Sequence, residues 1–187
     1  MAASIPSPWR EFLRDVDDAL AESHPAEPIE LHCVGGFAVA MRYGLNRTTS
    51  DLDIVEAVPS SGLKVVLGLA GRGTAVARKH RLHIDAGSRV ATLPENYAER
   101  LEDLFPGAMR HLRLRIPDAY DLALSKLERN IGRDREDVLV IAKAARIEPG
   151  ILRERYVSEL RPFVVAPVSR HDGTMALWVE MLEEARG

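Results

Sequence analysis

The chain has one cysteine, Cys33, so no internal disulfide can staple the fold. That cysteine sits in an apolar stretch, where a thiol is expected to serve as a small buried packing group. A reducing, cytoplasmic setting fits this usage. No apolar run approaches the ~20 residues that a helical membrane span needs, so no membrane partner is expected. The first residues, Met-Ala-Ala-Ser-Ile-Pro-Ser-Pro-Trp, show neither a basic segment nor an apolar one, and no signal peptide is expected. There is no internal repeat and no low-complexity tract. Lysine is scarce, with 4 against 21 arginines. Two readings stand for that bias: genomic base composition, or phosphate recognition by the planar guanidinium fork. The net charge of −3 does not demand a nucleic-acid partner, but it hides an asymmetry. Residues 1–31 hold two arginines against seven acids, whereas residues 72–115 hold nine basic residues against five acids, plus three histidines.

What the chain does have is enough length, 187 residues with 46% hydrophobic, for one domain or a small two-part molecule. Trp9, Phe12, Leu13, Val16 and Leu20 recur at helical spacing after Pro8 and predict a first helix. Strands are expected at 29–34, 51–56, 81–85, 89–93 and 111–116, with 81–85 and 89–93 forming a hairpin around Ala86-Gly87-Ser88. Helices are expected at 36–44 and 63–71, each stopped by glycine, with a brief helix or turn over 97–104. After Pro117 the pattern becomes helical, over about 118–129, 134–146, 149–160 and 173–185. The expected fold is therefore α/β (α+β): a small mixed sheet flanked by helices, then a C-terminal helical unit. The boundary falls between a core of residues 1–117 and a unit of residues 118–187.

The most informative stretch is Val34-Gly35-Gly36, followed by Asp51-Leu52-Asp53-Ile54. Side chains of a strand alternate between faces, so Asp51 and Asp53 point the same way, about 6.6 Å apart, while Leu52 and Ile54 enter a core. Aspartate is disfavoured inside strands, so two in one apolar run need a reason. Converging carboxylates make a hard-oxygen site of the kind Mg²⁺ prefers. The glycines leave room for a phosphate to reach backbone N–H groups at a helix start. Together these features suggest phosphoryl or nucleotidyl transfer.

Gly35-Gly36, a spacer and Asp51-x-Asp53 resemble the signature of the DNA polymerase beta-type nucleotidyltransferase superfamily. The longer string from Gly35 through Arg42-Tyr43-Gly44 to Arg47-Thr48-Thr49-Ser50-Asp51 resembles one branch of it more closely. So do Asp121-Leu-Ala-Leu-Ser-Lys126-Leu and Arg133-Asp134-Arg-Glu-Asp137-Val. That branch holds the minimal nucleotidyltransferases and the abortive-infection toxins of toxin–antitoxin systems.

The resemblance implies a metal-dependent nucleotidyltransferase using a nucleoside triphosphate. Asp51, Asp53 and Asp85 would be the carboxylates for Mg²⁺ or Mn²⁺, with Asp85 also helping to deprotonate the acceptor. Gly35, Gly36, Arg47, Thr49 and Lys126 would hold the nucleotide. Asp134 and Asp137 lie along the apolar stripe of their helix and are expected to orient Lys126 or an arginine; Asp137 is the better match to the last motif. Plain alternatives exist for each: turn capping for Asp85, a surface role for Lys126, helix-dipole acids for Asp134 and Asp137. Gly36 stands where many relatives have serine, which leaves only a backbone N–H there. The implied acceptor is an RNA 3′ end such as that of tRNA, or a protein hydroxyl on a cognate antitoxin or toxin partner. If it is RNA, Arg113 and Arg115, two apart on one strand, are expected to border the cleft. The alternatives are a small-molecule, antibiotic-type acceptor, or a non-catalytic nucleotide-binding or antitoxin interaction protein.

Overall fold

A computed structural model describes residues 5–23, 27–86, 92–165 and 167–186. Helix α1 (Trp9–Ser23) is amphipathic, and Trp9, Phe12, Leu13, Val16 and Leu20 form its buried stripe. Strand β1 (Ile29–Val34) follows and runs directly into α2 (Gly35–Tyr43), whose end is set by Gly44 in the left-handed region. Strand β2 (Asp51–Val58) and helix α3 (Ser61–Ala70) come next. A short helix α4 (Ala75–His80) precedes strand β3 (His83–Asp85). Strands β4 (Glu102–Leu104) and β5 (Leu112–Ile116) complete one five-stranded mixed sheet in the order β3-β2-β1-β5-β4. β1 runs antiparallel to β2 and parallel to β5, while β3 runs parallel to β2. Helices α5 (Ala119–Leu124), α6 (Gly132–Ala145), α7 (Pro149–Arg155) and α8 (Val168–Glu184) form the C-terminal part. The α/β class expected from the pattern is the class observed.

The two faces of the sheet have different jobs. Leu31, Cys33, Leu52, Ile54, Ala57, Ile84, Leu112 and Leu114 are buried on one side, against α1 and α3. Burial pushes the Cys33 thiol well above the usual range, which suits an inert packing group. Asp17 fastens α1 to the sheet: its buried carboxylate accepts from the N–H groups of Arg110, His111 and Leu112 at 2.9, 2.7 and 2.9 Å. The other face is polar and carries Glu30, His32, Asp51, Asp53, Glu56, Asp85, Arg113 and Arg115. A β-bulge governs its layout. Cys33 pairs with Ile54 but His32 pairs with Glu56, so Val55 is left over in β2.

Several elements differ from the pattern. Helix α4 was not legible, because Ala-Val-Ala-Arg-Lys-His has no apolar stripe; Thr74 caps it by accepting from the Ala77 N–H. β3 starts at His83 instead of 81, since Arg81 turns left-handed to end α4. The second arm of the expected hairpin, 89–93, falls largely outside the described residues. The 97–104 segment divides into a 3-10 turn, Tyr97–Arg100, and the edge strand β4. The helix expected over 118–129 stops at Leu124. Beyond it the Lys126 and Leu127 N–H groups bond three residues back, so Lys126 sits in a tightened turn. The helix expected over 149–160 is α-helical only to Arg155 and widens into a π-turn over Tyr156–Leu160. Among the described residues, no helix is long and apolar enough to cross a membrane.

Candidate active site

The site is built where β1 ends, α2 begins and β2 passes beside them. Val34 pairs with Asp53, which brings that carboxylate to the first turn of α2. Gly35 adopts φ +74, open to glycine at little cost. A Cβ there would lie 2.1 Å from Asp53 Oδ2, so the position is closed to every other residue while Asp53 stays in place. Gly35 is therefore needed for the close seating of a carboxylate on backbone, in addition to any ligand it admits. Gly36 lies under Arg47 and Thr49: its Cβ would be 3.6 Å from Arg47 Nη2 and 3.8 Å from Thr49 Oγ1. Arg47 thus overhangs the place where a serine hydroxyl would stand.

Asp51 and Asp53 share a face, and Asp53 is register-paired with Asp85 across the β2–β3 ladder. The Thr49 hydroxyl donates to Asp51 Oδ1 at 2.6 Å and fixes that carboxylate. Asp53 is pushed up to about 6 by burial first and by the Asp51 charge second; Lys126 pulls the other way and Asp85 adds to the rise. Carboxylates gathered with too little opposing charge behave in this way. His83, beside Asp51 in register, lies near Arg72 at 3.2 Å and is partly exposed.

Arg47 and Lys126 meet at one buried acid of α6. Asp137, 1% exposed at the side chain, accepts from Lys126 Nζ at 2.8 Å through one oxygen and from Arg47 Nη2 at 2.7 Å through the other. One buried acid thus sets both cations. Lys126 is itself 5% exposed, buried rather than a solvated surface lysine. The Arg47 Nη1 atom is buried without a hydrogen-bond partner among the described residues, and its nearest acid is Glu136 at 3.5 Å. Asp134 plays a separate part: it accepts from Arg129 Nε and Nη2 at 2.9 and 2.6 Å and from the Ile131 N–H, closing the start of α6.

The donor set fits a hard divalent cation: two carboxylates on one strand face, a third in register, and a carboxylate whose ionised form lacks compensation. Among the described residues, no three His, Cys, Asp or Glu side chains are drawn together tightly enough to make a finished metal cage. On β5, Arg113 and Arg115 lie on the polar face of the sheet with Glu30 and His32. Arg115 is engaged by Leu101 O at 2.7 Å, Asp103 at 3.1 Å and Glu30 at 3.5 Å, whereas Arg113 is exposed.

Residues 11–185 match the family model described as nucleotidyltransferase of unknown function (DUF6036). The chain belongs to that family. No curated protein and no solved structure matches it. The family match spans the Gly35-Gly36 turn, the Asp51-x-Asp53 strand and the Lys126–Asp137 pair alike, so the nucleotidyltransferase assignment covers both the sheet and the helices behind it.

Two residues beside the site escaped sequence reasoning. One is Glu56, which a strict two-residue alternation from Asp53 would turn into the core. The other is His32, whose place in an apolar strand gave no hint of its polar partners. A visible signal did exist: the alternation Leu52, Ile54 breaks before Ala57, as a bulge requires.

Proposed function

We propose that this protein is a metal-dependent nucleotidyltransferase that moves a nucleoside monophosphate from a nucleoside triphosphate to a hydroxyl of a tRNA-like RNA or of a protein, as the toxin of a toxin–antitoxin pair. The observation that carries the reading is Asp53: a carboxylate seated on the first turn of a helix, facing Asp51 and Asp85, and held near a pKa of 6 by burial and by their charge. Such an arrangement costs stability, and a bound cation relieves it. Asp51 and Asp53, with Asp85, would hold Mg²⁺ or Mn²⁺, which when bound neutralises charge on the phosphates.

The chain's own residues supply the rest. The N–H groups that open α2 face the phosphates and favour negative charge. Arg47, whose Nη1 makes no hydrogen bond among the described residues, and Lys126 would bind the leaving pyrophosphate side, and Asp137 holds both in place. Asp85 takes the proton of the attacking hydroxyl as its oxygen bonds to the α-phosphorus and the bond to pyrophosphate breaks. The test is calorimetric titration of nucleoside triphosphates with and without Mg²⁺, followed by transfer of label from α-labelled nucleotide. Tight binding only with Mg²⁺, lost in Asp53→Asn, supports the reading. Binding indifferent to Mg²⁺ refutes it.

A further inference from the structure

Beyond Asp53, the polar face of the sheet continues as a hydrogen-bonded chain that the proposed transfer does not use. His32 is 3% exposed. Its Nε2 bonds Glu30 Oε1 at 3.0 Å, and its Nδ1 lies 3.0 Å from the Tyr97 hydroxyl. The Tyr97 O–H donates to Glu56 Oε2 at 2.7 Å, and Glu56 also lies 3.5 Å from His32 Nδ1. Desolvation and the Glu56 carboxylate push the Tyr97 phenol above its usual range, which keeps it a donor. Arg115, held by Leu101 and Asp103, anchors the far end through Glu30. The chain runs inward from Glu56, whose side chain is 52% exposed. A buried histidine and a tyrosine thus immobilise one solvent-facing carboxylate.

Its position is set by the bulge. Val55 is the extra residue: were β2 regular through it, Glu56 would turn to the apolar side with Ile54, and the bulge prevents this. With it, Glu56 shares the face of Asp51 and Asp53, farther along β2 from the helix start. The direction matters. On the transfer reading the leaving phosphates would lie on the α2 side of Asp53, by Lys126 and by Arg47, which overhangs Gly36. Attacking and leaving oxygens are in line across phosphorus, so the acceptor comes from the opposite side, the side of Glu56.

We infer that Glu56, braced by His32 and Tyr97, is a specificity-determining residue of the acceptor subsite, and that it accepts a hydrogen bond from the 2′-hydroxyl beside the attacking 3′-hydroxyl of an RNA's terminal ribose. This rests on the transfer reading above. A carboxylate attracts hydroxyl donors and repels phosphate, so the end it favours is a free diol. Arg113 favours RNA over protein as the bearer of that diol. It is exposed, it is register-paired with Glu30, and it lies on the same face, where it can meet a backbone phosphate upstream of the terminal ribose.

The test uses the full chain, one α-labelled nucleoside triphosphate with Mg²⁺, and two tRNA transcripts differing only in a 3′-terminal ribose or 2′-deoxyribose. Wild type, Glu56→Gln and Tyr97→Phe are compared for transfer, nucleotide Kd and thermal midpoint. The expected result is that wild type prefers the ribose end by about tenfold or more, the worth of one charge-assisted hydrogen bond. Glu56→Gln should lose most of that preference through the kcat/KM for RNA, with nucleotide Kd within about twofold of wild type. Tyr97→Phe should lose part of it, which a merely structural tyrosine would not do. Glu56→Gln with undiminished preference overturns the assignment, as does a wild type that treats the two ends alike. Wild type that binds Mg²⁺-nucleotide but labels only a protein acceptor such as casein overturns the RNA end. Wild type that binds no nucleotide removes the transfer reading itself, and this inference with it.

Discussion

Replacing Asp53 by asparagine should remove activity and, in the absence of metal, make the protein more stable. The Asp53 carboxyl rises from an ordinary 3.8 to about 6, chiefly through burial and the Asp51 charge. The folded state therefore holds the proton more tightly than the unfolded chain does. Below about pH 4 both states are protonated and the group makes no difference; above about pH 6 both are ionised and the fold bears the whole penalty. A rise of about two pH units corresponds to about 3 kcal/mol. The group is partly open to solvent, and screening reduces the expected figure to about 1–2 kcal/mol. For a chain of this size that is roughly 3–6 °C in Tm. Scanning calorimetry in chelator at about pH 8 and about pH 4 reads this directly: the variant melts higher at the first and together with wild type at the second. Mg²⁺ should then raise the wild-type midpoint and leave the variant unmoved. Because protons and the cation compete for the same oxygens, metal affinity and transfer should also fall as pH drops through about 6. A variant less stable than wild type at high pH without metal would show that Asp53 is a satisfied structural group, and the argument for a cation would fail.

Gly35→Ala should abolish transfer, because its Cβ would lie 2.1 Å from Asp53 Oδ2 at a φ of +74; a variant of wild-type activity would show that Asp53 need not stay where it is. Lys126→Ala leaves Asp137, 1% exposed, with Arg47 alone, and should cost about 3–5 kcal/mol in urea unfolding together with weaker nucleotide binding. Lys126→Ala with unchanged stability would place the lysine outside the buried pair. Asp17→Ala removes the acceptor of three N–H groups at the start of β5 and should cost about 3 kcal/mol or more by chemical denaturation, whereas nucleotide affinity in the surviving folded protein should hold.

The parts of the fold read most easily from sequence are those with a long period. The α1 stripe from Trp9 to Leu20, the β1 run and the Asp51-x-Asp53 alternation all carry enough residues for the pattern to exceed noise. The short elements are different. β4 is three residues, two of them acidic, and is a strand only because β5 offers it an edge. α4 exists through one threonine cap and the surface it covers. The pairing of Asp137 with Lys126 is expected from the place of Asp137 along the apolar stripe of its helix, but the local geometry that makes it is not legible in the sequence. Their contact depends on a helix that ends at Leu124 and a turn that swings the lysine toward α6. Asp17 is hidden for the opposite reason, as a polar position beside an apolar stripe, its three N–H partners more than ninety residues away.

Glu56 is the sharpest case, because local rules place it on the wrong side. From Asp53 the two-residue period predicts that Val55 shares its face and that Glu56 joins Ile54 in the core. A buried, unpaired carboxylate there would be costly, whereas Ala57 would be left on the polar face. One inserted residue resolves both conflicts: Ala57 is 3% exposed among the apolar residues, and Glu56 reaches Tyr97 and His32. The bulge lets a single strand carry an acidic pair and, a few residues on, a braced carboxylate on the same face. Deleting Val55 should therefore leave Glu56 on the face of Asp53, whereas forcing Val55 into regular pairing would turn Glu56 to the core side; the register slip, not the two-residue period, is what keeps Glu56 with Asp51 and Asp53.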